Sequence, residues 1–257
     1  MSYQGGKAKL GKRIYDVIDI LEEYLADDYL EYVEPFVGFC GVMKHFGGDQ
    51  NRPGSIKGYD ANKDVIEMWK ALQTGWKPPI RCSRAKYNEL KHSNEHSAER
   101  GFVGVACGYS GIFFAGYREK LNYKSGSQSS MAMTSRSVIK TANDLDRVKF
   151  INKSYEELSP KNCLVYCDPP YKDNKYSSEF FVDFDTDEFW ETMRRWSKDN
   201  IVVVSERIAP DDFNCIWKST VDVIHSNKTK NEVEKLFIYK GLYKRLDKNI
   251  KDELMSI

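Results

Sequence analysis

Metal-binding spacings are scarce in this 257-residue chain: none of its cysteines pair as CxxC, and its four histidines form no HxE and a single HxxxH, His92-Ser93-Asn94-Glu95-His96, with no CxxC to complete a zinc site. A zinc site is therefore not expected. The six scattered cysteines, Cys40, Cys82, Cys107, Cys163, Cys167 and Cys215, read as reduced, mostly buried thiols of a cytosolic protein. No apolar run approaches the roughly 20 residues that span a bilayer, and Met1-Ser2-Tyr3-Gln4-Gly5-Gly6-Lys7 has no apolar stretch to direct secretion. The expectation is a cytoplasmic protein with no membrane partner and no metal. A Gly-x-x-x-x-Gly-Lys-Ser/Thr phosphate loop and a serine nucleophile elbow are also absent, which removes support for phosphate-loop and hydrolase chemistry. Excess charge is lacking too: 39 basic against 38 acidic residues leave a net charge of +1, so global charge neither favours nor excludes a nucleic-acid partner.

Hydrophobic residues at 41% and charged residues at 30% describe a soluble globular chain, long enough for one large domain or a domain with an insertion. Ile14, Val17, Ile18, Leu21 and Leu25 recur at helical spacing over roughly residues 11–26. Tyr32-Val33-Glu34-Pro35-Phe36-Val37-Gly38 reads as a strand that breaks at glycine and leads into a helix over Gly41-Val42-Met43-Lys44-His45-Phe46. A short strand, Ser55-Ile56-Lys57-Gly58-Tyr59, ends at Asp60, and Asn62 can cap a helix carrying Val65, Ile66, Met68, Trp69 and Leu72. From Thr74 to about Leu145 the period becomes irregular and the composition turns to glycine, aromatic and basic residues, as an insertion would. Alternation resumes with strands at Val148–Asn152, Cys163–Cys167 and Ile201–Val204 and a helix holding Phe189, Trp190, Met193 and Trp196. Strands and helices alternating on both sides of the insertion predict an α/β fold with a mostly parallel sheet covered on both faces.

Asp168-Pro169-Pro170-Tyr171 follows the apolar run Cys163-Leu164-Val165-Tyr166-Cys167 directly. Neither proline can donate to a ladder or enter a helix interior, so the backbone must break there and leave carbonyls free to accept. At ordinary residue frequencies this tetrapeptide arises by chance in about one chain in a thousand of such length. An ordinary proline turn closed by a packed tyrosine is the bland reading. The chemical reading is a carboxylate, a peptide carbonyl and an aromatic ring converging on a planar base: two acceptors for one exocyclic amine and a face to stack on. Gly38 and Gly41 mark a turn at a strand's carboxyl end, and Asp60 follows Gly38 at about the 20 residues at which nucleotide-binding folds place an acid for ribose hydroxyls.

Taken in order, Tyr3-Gln4-Gly5-Gly6-Lys7, Glu34-Pro35-Phe36-Val37-Gly38, Asp60-Ala61-Asn62, Lys153-Ser154-Tyr155 and Val165-Tyr166-Cys167-Asp168-Pro169-Pro170-Tyr171 resemble the motifs of DNA N6-adenine methyltransferases of the Dam type (D12 class, alpha group). The resemblance spans most of residues 1–210. It implies a Rossmann-like S-adenosylmethionine-dependent methyltransferase fold, with residues 1–74 and 146–257 as the catalytic domain and 75–145 as an inserted target-recognition segment. It further implies S-adenosyl-L-methionine as methyl donor, S-adenosyl-L-homocysteine as product and double-stranded DNA as partner, with no covalent enzyme intermediate. Position by position, Tyr3, Gly6 and Lys7 match cofactor contacts, Lys7 near the methionine carboxylate. Pro35, Phe36 and Gly38 match the loop below the methionine part, Asp60 the acid on the ribose, and Ser154 and Tyr155 the segment beside the cofactor adenine. Asp168 and the Pro169 carbonyl would accept from the target amine, Pro170 would complete the turn, and Tyr171 would stack on a flipped adenine, with Asp168 also facing the cofactor. Phe39 and Cys40 depart from the pattern, standing where relatives have further glycines.

DNA contact is expected from Lys9 and, in the 75–145 segment, from Tyr109, Tyr117, Arg118, Lys124 and Arg136, with GATC the first target to test. Lys12 and Arg13 fit a solvated helix face equally well. Phe113 and Phe114 fit either base contact or a small core of the segment itself. Two other readings stay open: methylation of an exocyclic amine in RNA, and a non-catalytic nucleic-acid-binding protein on the same fold.

Overall fold

The computed structural model describes residues 6–118, 120–123, 126–171, 184–225 and 228–257. Helix α1 (Gly11–Leu25) buries Ile14, Val17, Ile18, Leu21 and Leu25 on one face, as their spacing requires. Then follow β1 (Glu31–Glu34), α2 (Met43–Gly48), β2 (Ile56–Asp60) and α3 (Lys63–Gln73). Asn62 caps α3, its side chain accepting from the Asp64 and Val65 N–H groups. The middle of the chain forms α4 (Arg84–His92), α5 (Ala98–Ala106), the antiparallel pair β3 (Lys120–Tyr123) and β4 (Gly126–Ser129), and α6 (Ser130–Ala142). The remainder comprises β5 (Val148–Asn152), β6 (Cys163–Cys167), α7 (Thr186–Trp196), β7 (Ile201–Glu206), β8 (Phe213–His225), β9 (Lys228–Tyr239), α8 (Lys240–Tyr243) and α9 (Lys248–Ser256). Among the described residues no helix is long and apolar enough to cross a membrane.

One sheet organises the molecule, in the order β5-β2-β1-β6-β7-β9-β8. Its first five strands are parallel, while β9 runs antiparallel to both β7 and β8. Chain progression runs one way from β1 through β2 to β5, and the other way from β6 to β7. The topological switch point therefore lies between β1 and β6, where ligands of doubly wound sheets bind. Both faces of the central strands are buried, which is why β6 reads as a continuous apolar run. Tyr32, Leu164, Tyr166, Ile201 and Val203 join the larger core with α1, α3 and α5; Val33, Val165, Cys167, Val202 and Val204 pack on the other side with Phe189, Trp190, Met193 and Trp196 of α7.

Several local readings shift. The first strand ends at Glu34 rather than Gly38, because Pro35 cannot donate to the ladder, and the helix expected from Gly41 starts at Met43. Between Thr74 and Leu145 the chain is more regular than its periodicity suggested. Helix α5 is buried from Arg100 through Ala106, so it shows no polar face to set a period. Phe102, Val103, Phe113 and Phe114 belong to the same core as Trp69 and Leu72 of α3, and Phe113 and Phe114 are core residues at 7% and 4% exposure. The long hairpin of β8 and β9 carries no simple alternation and was not anticipated. All six cysteines are free, with Cys40, Cys107, Cys163 and Cys167 buried.

Candidate active site

Strand β6 delivers Asp168 to the switch point, and the two prolines that follow stop the ladder with Pro169 buried and Pro170 half-buried. Lys7 arrives from the other end of the chain. Its carbonyl accepts the Leu10 and Gly11 N–H groups at 3.0 and 2.6 Å, turning the segment into α1. That entry crosses the turn after β1 so closely that a Cβ on Gly11 would lie 2.0 Å from the Gly41 carbonyl oxygen. The turn itself uses the left-handed region at Gly38 (φ 44°) and at Cys40 (φ 55°). Cys40 thus bears a strain of roughly 1–2 kcal/mol that a glycine would avoid.

Within this frame the Lys7 ammonium donates to Asp168 Oδ1 at 2.7 Å and to the Tyr171 hydroxyl at 2.8 Å, and sits 3.6 Å from Glu234 Oε1. The Tyr171 hydroxyl donates in turn to Glu234, and Ser205 donates to the same carboxylate at 2.7 Å. Tyr171 is 9% exposed, with Lys7 4.8 Å and the Arg207 guanidinium 5.6 Å from its ring centroid. Burial pushes Asp168 up to about 6, against the pull of the Lys7 ammonium and with a further push from Glu234. Burial alone would lower Lys7, but the Asp168 and Glu234 carboxylates outweigh it and raise the ammonium above its usual value.

At the neighbouring strand ends, Asp60 accepts the Gly38 N–H at 2.9 Å through Oδ2 and the Asn62 N–H at 2.8 Å through Oδ1. Each oxygen keeps acceptor capacity, and burial pushes this carboxyl up to about 6 as well. Glu34, accepting from the Tyr32 hydroxyl at 3.0 Å, is raised well above the carboxylate range by burial. Glu206 is pushed up to about 7 by burial, and its charge is felt at Lys7 and Asp168. Phe36, Tyr155, Phe184 and Phe189 form an aromatic group, with Phe36 and Tyr155 centroids 5.3 Å apart. Among the described residues the buried Tyr155 hydroxyl meets no hydrogen-bond partner. Ser154 caps the turn that presents it, its N–H donating to Glu157 at 2.8 Å.

Lys7, Asp168 and Tyr171 are thus in direct contact, and Gly38 is bonded to Asp60 at the neighbouring strand end, with Pro169 and Pro35 buried, Pro170 and Phe36 half-buried and Gly6 exposed. Lys9 is exposed just before α1. Tyr109 is 60% exposed, and Arg136 is exposed on α6. Tyr117 is half-buried and donates to the Cys82 carbonyl at 2.7 Å, and the Arg118 N–H donates to the Cys107 carbonyl at 2.7 Å. Tyr3 and Lys124 lie outside the described residues. Lys12 pairs with Asp16 on the α1 surface, while Arg13 bonds Ser219 and the Ile257 carbonyl. Sequence reasoning missed Ser205, Glu206 and Glu234. Glu206 carried a signal, an acid closing a buried strand as Asp60 and Asp168 do; Glu234 carried none, because it lies in a lysine-rich stretch on an antiparallel strand.

A doubly wound sheet with carboxylates gathered at its switch point is a Rossmann-like α/β fold. Within that class, the sequence profile of the D12 class N6 adenine-specific DNA methyltransferases matches residues 3–135 and 106–233, and the chain belongs to that family. Among curated proteins no sequence matches. Solved structures with similar folds include two of the rRNA methyltransferase aviRa from Streptomyces viridochromogenes. One shows 9% identity over 91% of this chain and 85% of that one at a TM-score of 0.41; the other shows 8% identity over 93% and 88%, also at 0.41. Precorrin-6y C5,15-methyltransferase from Geobacter metallireducens GS-15 shows 7% identity over 86% of each chain at a TM-score of 0.34.

Proposed function

We propose that this methyltransferase moves the methyl group of S-adenosylmethionine to N6 of an adenine rotated out of duplex DNA, releasing S-adenosylhomocysteine. The observation that carries the reading is the Asp168 carboxylate, held at the switch point by Lys7 and followed by the Pro169 carbonyl and the Tyr171 ring. The residues fit the cofactor in charge: Asp168, Glu206 and Glu234 act together on Lys7, with Asp60 at the neighbouring strand end, an acidic excess that suits a cationic ligand. When bound, the cofactor supplies an electrophilic methyl group on a sulfonium. Asp60 would hold its ribose through the acceptor capacity left on both oxygens, with Pro35, Phe36, Gly38, Gly6 and Tyr3 around the methionine part. The buried hydroxyl of Tyr155, beside Ser154, would offer a polar atom toward the adenine side.

The adenine N6 lone pair is delocalised into its ring and is a poor nucleophile. Asp168 and the Pro169 carbonyl, accepting from the amine, draw it toward tetrahedral geometry and stabilise the positive charge that develops on nitrogen. With its carboxyl near 6, Asp168 also accepts the proton N6 sheds more readily than an exposed aspartate would. Tyr171, its hydroxyl fixed by Lys7 and Glu234, would stack on the base, worth about 1–3 kcal/mol toward the cost of flipping. The 75–145 segment would read the duplex through Tyr109, Tyr117, Arg118, Lys124 and Arg136, with Lys9 on phosphate.

Tritiated methyl transfer to duplex DNA, single-stranded DNA and RNA tests the reading, starting with GATC-containing duplexes. Label on N6 of adenine in duplex DNA is the expected result. Label on RNA alone moves the substrate class, and no label on any of the three, with DNA binding intact, removes the enzyme reading.

A further inference from the structure

We propose that Glu234, with Ser205, is the positioning residue of this site: it anchors the Tyr171 hydroxyl and shares the Lys7 ammonium with Asp168, and so holds acceptor and ring in the arrangement that transfer requires. Its consequence for turnover rests on the function proposed above. Glu234 reaches the site on β9, which pairs antiparallel with β7, so it enters from the direction opposite to the strands that supply Asp60 and Asp168. Three groups converge on its single oxygen Oε1: the Ser205 hydroxyl at 2.7 Å, the Tyr171 hydroxyl, and the Lys7 ammonium at 3.6 Å. Glu234 is 9% exposed and Ser205 fully buried, so little water can replace these partners. Ser205 also lies 3.3 Å from the Tyr171 hydroxyl, closing the triangle. A carboxylate gripped by three groups has one low-energy orientation, and through Tyr171 and Lys7 it transmits that orientation to Asp168.

The charges around Asp168 come from every neighbouring element. Lys7 precedes α1, Glu34 ends β1, Tyr166 and Cys167 lie on β6, Tyr171 follows it, Glu206 ends β7 and Glu234 lies on β9, with Arg207 over the Tyr171 ring. Lys7 holds the Asp168 carboxyl down and Glu234 pushes it up. Neutralising Glu234 without changing its shape therefore moves the Asp168 titration to lower pH, an effect that packing alone does not produce.

The full-length protein and its Glu234→Gln and Glu234→Ala variants are compared in two measurements. One is kcat and cofactor KM against pH on polymerase-amplified, unmethylated duplex DNA of mixed sequence; the other is the Asp168 titration followed by carbonyl-carbon NMR without DNA. Glu234→Ala is expected to lower kcat at least tenfold with cofactor KM changed less than threefold. Glu234→Gln, which keeps the acceptor oxygen, restores most of kcat and shifts both the acid limb and the Asp168 midpoint downward. An unmoved Asp168 midpoint in Glu234→Gln overturns the proposal, as does an Ala variant with parental kcat. Should Glu234→Ala fail to fold, the Gln midpoint decides alone. Should the parent methylate no DNA, the proposed function falls while the NMR midpoints still decide this inference.

Discussion

Lys7 and Asp168 each favour the charged form of the other in a place where burial disfavours both. The Lys7 side chain is 5% exposed and that of Asp168 17%, and their 2.7 Å contact replaces the hydration both have lost. Removing one partner therefore does more than delete a hydrogen bond. Lys7→Met takes away the cation that holds Asp168 down, so more of the carboxyl is protonated at neutral pH and unable to accept from an amine. We expect kcat at pH 7 to fall at least tenfold and to recover partly as pH rises, visible as an acid limb displaced upward in a pH–rate profile; an undisplaced limb contradicts the pairing. Asp168→Ala removes the acceptor itself. By analogy with lost oxyanion-hole donors it should cost on the order of 10²–10³ in kcat, while labelled cofactor still binds in equilibrium dialysis. Parental turnover in Asp168→Ala would refute its assigned role.

The elements differ in how plainly their sequences announce them. Helix α1 and helix α3 were legible because each is buried on one face only, so apolar spacing and, for α3, the Asn62 cap mark them. Strand β6 was legible because burial on both faces gives an unbroken apolar run ending in a proline stop. Helix α5 failed the same test in reverse, since full burial erases the period that identifies a helix. The acids at strand ends, Asp60 and Asp168, could be found by position, whereas Glu234 depends on a pairing between β7 and β9 that no local pattern encodes. Tertiary contact of another kind sets the Lys7 segment. The N-terminus of α1 lies directly on the turn after β1, with Gly11 against Gly41 and a Cβ on Gly41 only 3.0 Å from the Lys7 nitrogen. Gly11→Ala must push two backbones apart, and we expect a loss of about 2–3 kcal/mol in urea unfolding together with a larger loss of kcat than the stability change explains, because Lys7 moves with the segment. A Gly11→Ala protein of parental stability and activity would show that the close approach is not needed.

Across the whole molecule the site leaves a pH signature in folding. Asp60 and Asp168 are raised from 3.8 to about 6, and Glu206 from 4.5 to about 7, so the folded chain binds these protons more tightly than the unfolded chain. A raised carboxyl contributes stability that is present below its unfolded value and lost as pH climbs through its folded one. Each such shift is worth on the order of 3 kcal/mol at about 1.4 kcal/mol per unit, and the three act in overlapping windows between about pH 4 and pH 7. Glu31 with Lys57 and Ser55 and Asp212 with Arg194 have lowered carboxyls and work the other way only on the acid side of their unfolded values, and His45, lowered by burial to about 4, offsets only part of the combined effect of the three raised carboxyls. The ligand-free protein should therefore melt several degrees lower at pH 8 than at pH 5.5. A cation bound among the same carboxylates reverses the sign, since it favours their ionised forms. S-adenosylmethionine should raise the melting temperature more at pH 8 than at pH 5.5, whereas S-adenosylhomocysteine, lacking the sulfonium charge, should show a smaller change across that range. Thermal unfolding by circular dichroism at both pH values, with each ligand at matched saturation, separates the two. Equal responses to the two ligands at both pH values would mean that the acidic cluster does not face the sulfonium.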